Sequence, residues 1–141
     1  MSPRRAPMGD ALDAAAAEQP IRRIMKCQPV TVEQHDPLSE VAKELAANEI
    51  GVLLVSSPIG PVGMISERDV VAVVAAGADL EREQVRSVMS VDLVTAASTE
   101  SIASVGRLMI DAGVRHVAIR GDDGRITGLV SIRDVLDAVL A

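Results

Sequence analysis

Two stretches of this chain match each other in register, and that self-similarity constrains its fold more than any other feature. Ile21-Arg22-Arg23-Ile24-Met25 lines up with Val85-Arg86-Ser87-Val88-Met89, and the same offset lays Val30-Thr31 on Val94-Thr95 and Val41 on Val105. After a one-residue gap, Gly63-Met64-Ile65-Ser66-Glu67-Arg68-Asp69-Val70 falls on Gly128-Leu129-Val130-Ser131-Ile132-Arg133-Asp134-Val135. Agreement at Gly, Ser, Arg, Asp and Val with the same internal spacing makes residues 21–84 and 85–141 two copies of one unit. Residues 1–20, Ala-rich and closed by Pro20, read as a flexible or partly helical tail.

Each copy carries the same succession of local signals. In the first, Asp36-Pro37 supplies an N-cap and a first-turn proline, and Leu38, Val41, Ala42 and Leu45 then share one helical face. Val52–Val55 and Val62–Ile65 are short apolar runs around the turn residues Pro58–Pro61, the pattern of a hairpin. Ser66 opens a second helix through Val70, Val71, Val73 and Val74, which Gly77 closes. The second copy repeats this with Ile102, Val105 and Met109 on a helix, a strand at His116–Ile119, a turn at Gly121–Gly124, a strand at Ile126–Val130 and a terminal helix from Arg133. The fold class is therefore α+β, built of two strand–helix–strand–strand–helix repeats. A unit this small cannot cover its own sheet, so the two are expected to pack sheet against sheet about a pseudo-twofold axis.

Composition narrows the function classes. An apolar fraction of 48% suffices for a core, but the chain has no Phe, Trp or Tyr, so aliphatic side chains and Met must fill it. A bound purine would have to be sandwiched between aliphatic groups. A formal charge of −6, with no basic run beyond Arg4-Arg5 and Arg22-Arg23, lacks the electrostatic footprint of nucleic-acid binding. No apolar stretch approaches the roughly 20 residues that span a bilayer, and no signal-peptide apolar region follows Arg4-Arg5. Cys27 is alone, so no internal disulfide forms and a cytoplasmic setting is expected. Two His, one Cys and no metal-ligand spacing leave no pairing of nucleophile with base, so the chain is read as having no catalytic activity.

The residues suited to binding lie at the second strand-to-helix junction of each copy. Ser66-x-x-Asp69 and Ser131-x-x-Asp134 sit where free backbone N–H groups favour an anion, and an Asp one turn along can accept ribose hydroxyls. The same spacing is that of a capping box, in which both side chains simply satisfy the helix end. Spacing leaves the two roles open, and they are compatible.

The element order, the Met-containing entry segment and the recurring Gly-x-x-Ser-x-x-Asp resemble the CBS (cystathionine β-synthase) domain family, and two copies resemble its usual pair, the Bateman module, over residues 21–141. The resemblance implies a regulatory sensor that binds AMP, ADP, ATP or S-adenosylmethionine in the cleft between the repeats, with no obligatory cofactor. The alternative is a ligand-free scaffold on the same fold. Carried over residue by residue, it implies one site with Val30 and Ile50 around the base and Arg115, His116, Ser131, Arg133 and Asp134 as polar contacts. The other site pairs Val94 and Val114 with Gly51, Val52, Ser66, Arg68 and Asp69. Because Gly51-Val52 stands where the second copy has Arg115-His116, phosphate is expected to favour the site of Asp134. The family also implies a homodimer formed through helical faces, and a separately encoded effector protein as a further partner.

Overall fold

The computed structural model describes residues 13–140. Its elements run α1 (Ala14–Ala17), β1 (Lys26–Cys27), β2 (Thr31–Glu33), α2 (Leu38–Asn48), β3 (Val52–Ser57), β4 (Gly60–Ser66), α3 (Glu67–Ala75), β5 (Thr95–Ala97), α4 (Ile102–Ala112), β6 (His116–Arg120), β7 (Ile126–Ser131) and α5 (Ile132–Val139). Short 3-10 turns at Ile21–Arg23 and Val85–Ser87 begin the two entry segments. The strand–helix–strand–strand–helix order thus appears twice. Of the expected N-terminal tail, residues 1–12 lie outside the described residues, while Ala14–Ala17 makes one helical turn, capped by Asp13 and packed on α5 and α4.

The described residues divide into two compact units, 29–93 and 13–28 together with 94–140. In the first, β2 and β3 run parallel, joined by α2, and β4 folds back antiparallel on β3, giving the order β2-β3-β4. In the second, β5 and β6 are parallel across α4, β7 returns antiparallel, and β1 adds at the far edge in the order β1-β7-β6-β5.

Each unit has its own core, and the cores correspond residue for residue. One contains Val32, Leu38, Val41, Leu45, Leu53, Val55, Ile65, Val70 and Val85. The other places Ala96, Ile102, Val105, Met109, Val117, Ile119, Val130, Val135 and Ile21 at the equivalent positions. Aliphatic groups and one Met fill both, as the absence of rings requires, and each fully buried Leu or Ile contributes about 1.5–3 kcal/mol. The entry residues are exchanged: Ile21 completes the core made by the second copy, and Val85 completes that of the first. Backbone bonds fix them there, from Ile21 N to Glu100 O at 2.7 Å and from Val85 N to Asp36 O at 2.9 Å.

Two local details differ from the sequence reading. Pro37, not Asp36, occupies the N-cap of α2, and the Asp36 carboxylate instead accepts from Glu33 N at 2.9 Å. Pro37 itself keeps extended backbone, with ψ 153°, so the helix starts one residue later than a cap at Asp36 requires. α5 likewise begins at Ile132 rather than Arg133, because Ser131 is its N-cap.

Candidate functional site

In each unit the same end of the sheet collects the candidate residues. The parallel pairing of β2 with β3 brings Val30, just before β2, beside β3, where its carbonyl accepts from Leu54 N at 3.1 Å. α2 ends on a left-handed Glu49, φ 51°, and the chain turns through Ile50 and Gly51 into β3. Val52 pairs with Ser66 at the last position of β4, and α3 starts there.

The second unit reproduces this bond by bond. Val94 O accepts from Ala118 N at 2.9 Å, Val114 follows the left-handed Gly113 that ends α4, and His116 pairs with Ser131 where α5 starts. The Gly51 carbonyl accepts from Glu67 N at 2.9 Å, and the Arg115 carbonyl accepts from Ile132 N at 2.8 Å. Val30, Ile50, Gly51, Val52, Ser66, Arg68 and Asp69 therefore correspond in space to Val94, Val114, Arg115, His116, Ser131, Arg133 and Asp134.

The junctions themselves are capping boxes. Ser66 Oγ accepts from Asp69 N at 3.2 Å, while Asp69 Oδ2 accepts from Ser66 N at 2.8 Å and from Ser66 Oγ at 3.0 Å. Ser131 Oγ accepts from Asp134 N at 3.1 Å, and Asp134 Oδ2 accepts from Ser131 N at 2.9 Å. Capping is thus a real role of both pairs. It also commits donors that the sequence reading left to an anion, since the first and third N–H groups of each helix already bond within the unit. The cap uses only Oδ2 of each Asp, so Oδ1 is not committed to it. Ser66, Asp69, Ser131 and Asp134 are half-buried, whereas Arg68, Arg115 and Arg133 are exposed.

One residue at these junctions was missed by sequence reasoning. Glu67, exposed at the first position of α3, holds Oε1 3.4 Å from where a side chain on Gly51 would begin. Its counterpart is Ile132. The mismatch is visible in the aligned run Ser66-Glu67-Arg68 over Ser131-Ile132-Arg133, but its proximity to position 51 comes from the strand-to-helix hydrogen bond.

The model of the CBS domain family matches residues 21–76 and 85–141. The chain belongs to the CBS-domain family. The resemblance read from the repeat therefore holds, and the mixed helix-and-sheet fold of the CBS pair holds with it. A CBS domain protein from Pyrobaculum aerophilum complexed with AMP is similar with TM-score 0.74 and 28% identity, over 82% of this chain and 88% of that one. A CBS-domain containing protein from Agrobacterium tumefaciens gives TM-score 0.77 and 27% identity, over 90% and 98%. An uncharacterised protein of Methanopyrus kandleri is 32% identical over 99 residues, which are 69% of this chain. This CBS pair spans only 50% of that relative's length. Among the described residues, no helix is long and apolar enough to cross a membrane.

Proposed function

We propose that this CBS pair is a regulatory sensor that binds an adenosyl compound at its Ser-x-x-Asp junctions and has no catalytic activity of its own. The observation that carries this is the duplicated junction. At the same end of each sheet, an Asp keeps one carboxylate oxygen outside its capping role, and each unit also carries partly buried aliphatic residues packed on its core, Val30 and Ile50 in one and Val94 and Val114 in the other. A carboxylate oxygen suits ribose hydroxyls, and aliphatic side chains suit a purine in a chain without rings. The Pyrobaculum aerophilum relative, at 28% identity and complexed with AMP, supports the ligand class.

The expected contacts are those drawn from the family: Val30, Ile50, Arg115, His116, Ser131, Arg133 and Asp134 for a phosphorylated ligand, and Val94, Val114, Gly51, Val52, Ser66, Arg68 and Asp69 for a second ligand. AMP or ATP is the first candidate and S-adenosylmethionine the second. The proposed setting is cytoplasmic, with an effector protein as a further partner that would read the bound state.

Isothermal calorimetry with AMP and with adenosine tests the reading. A ligand at 100 times its Kd should raise stability by about 2.7 kcal/mol. Arg115→Ala should weaken AMP by roughly ten-fold, the scale of one charge-assisted contact, and leave adenosine nearly unchanged. Absence of binding by AMP, ADP, ATP and S-adenosylmethionine alike would return the chain to the scaffold reading. That reading has its own support in apolar residues left exposed on the helices, Val71 at 64% and Val74 at 55% on α3, and Leu136 at 49% on α5. These faces also suit the homodimer.

A further inference from the structure

The two junctions share their Ser, their Arg and their Asp, and both open a helix, so none of these features can make them choose different ligands. They differ at the two positions linked by the strand-to-helix backbone bond. In one unit that bond joins Gly51 to Glu67, and in the other it joins Arg115 to Ile132. A carboxylate stands on the helix side of one junction, and a guanidinium-bearing residue on the strand side of the other.

We infer that Glu67 is a specificity-determining residue, which makes the Ser66–Asp69 junction select adenosyl compounds bearing positive charge at the 5′ position and reject 5′-phosphates. The inference rests on the adenosyl reading above and adds to it a charge preference. Oε1 of Glu67 lies 3.4 Å from the point where a Gly51 side chain would begin, so the space that an Arg has for its side chain in the other unit is bordered here by an anion. Glu67 takes part in neither of the ion pairs found among the described residues, Arg82 with Asp79 and Arg125 with Asp123. Arg68, exposed at the next helical position, is matched by Arg133 and therefore cancels in the comparison.

A sulfonium centre near Glu67 would gain attraction, and a phosphate would meet repulsion, each worth roughly ten-fold in affinity for a unit charge about 6 Å from this exposed carboxylate, with an effective dielectric of about 40, between the surface and bulk-water values. The opposite preference follows for the junction of Arg115.

The test compares S-adenosylmethionine with S-adenosylhomocysteine, which differ by one methyl group and one positive charge, by calorimetry on the full chain. An Asp134→Ala background isolates the Ser66–Asp69 junction. Glu67→Gln should weaken S-adenosylmethionine by about ten-fold, strengthen AMP, and change S-adenosylhomocysteine by less than about two-fold. Equal changes for all three ligands would show that Glu67 acts only on the shape or stability of the helix start, and would overturn the inference. So would an unchanged preference in Glu67→Gln, while binding itself persists and the adenosyl reading stands. Failure of every ligand to bind the parent chain would instead remove the adenosyl reading and the charge preference with it. Arg115→Gly combined with Ile132→Glu supplies the reciprocal arm: it should shift the other junction from AMP toward S-adenosylmethionine in an Asp69→Ala background.

Discussion

Replacing Gly63 by alanine should destabilise this protein more than the same change at Gly128, although the two glycines hold the same place in the repeat. Gly63 is buried in β4, opposite Val55. A methyl group there would run into the main-chain carbonyl of Ser90, which is held by reciprocal bonds, Met64 N to Ser90 O at 3.0 Å and Ser90 N to Met64 O at 2.9 Å. A carbonyl in such a bridge cannot rotate away, so the segment after Val85 must lift from β4. Straining two backbone bonds costs about 0.5–1.5 kcal/mol each, and crowding a packed site about 1–3 kcal/mol. Alanine's smaller unfolded-state entropy returns about 0.4–1 kcal/mol, leaving a net loss of about 1–5 kcal/mol, centred on about 3 kcal/mol. At Gly128 the methyl would meet Met25 Sδ at 2.6 Å and Cγ at 2.9 Å, with Lys26 O at 3.0 Å. The Met25 side chain is flexible and can move, which limits the expected loss to about 1–2 kcal/mol. Urea unfolding of both variants measures the difference, and the melting temperature of Gly63→Ala should fall by roughly 6–15 °C. If Gly63→Ala were as stable as Gly128→Ala, close approach of the Ser90 carbonyl would not be the reason for glycine at this position.

Two further outcomes follow from the junctions and the helix faces. Asp134→Ala should weaken AMP by about 1–3 kcal/mol through loss of hydrogen bonds to a charged acceptor, and should also cost roughly 1 kcal/mol of folding stability through loss of the capping box. A stability loss with unchanged affinity, measured by unfolding and calorimetry on the same variant, would leave capping as its whole role. The chain should sediment as a dimer at tens of micromolar, a concentration typical of moderate self-association, and Leu136→Glu or Val71→Glu should shift it toward monomer. A parent chain that sediments only as monomer would refute the association.

Much of the fold was legible because the apolar periodicities are strong and occur twice. Leu38, Val41 and Leu45 were read onto one helical face, and all three are buried, as are Ile102, Val105 and Met109. The hairpin was legible from its turn residues, as was the role of Gly77, which adopts φ 80° just beyond the end of α3. Cap placement was less so. Asp36-Pro37 fits two registers one residue apart, and the competing bond from Glu33 N decides between them. At the candidate site, alignment of the repeats already paired the polar residues. What sequence could not supply is which atoms of Ser and Asp are committed to capping, or that Glu67 borders the space at position 51. Both depend on the three-dimensional meeting of a strand start with a helix start.

The exchanged entry segments give the recurring glycine a physical reason that the motif alone does not. If Gly-x-x-Ser-x-x-Asp served the junction only, its first residue would be free to carry a side chain, since neither Gly63 nor Gly128 requires a left-handed backbone. In both units, however, that glycine faces an entry segment contributed by the other sequence copy: Met25-Lys26 at Gly128, and Met89-Ser90 at Gly63. The missing side chain lets the segment lie against the strand, through two pairings of β1 with β7 in one unit and a single bridge in the other. Ile21 and Val85, each wholly buried, are anchored a few residues before those contacts. The copy detected along the sequence is therefore not the unit that buries a core. A core of nine residues closes only when each copy lends its first buried side chain to its neighbour, and the glycine, serine and aspartate of one short motif serve that exchange and the helix start together.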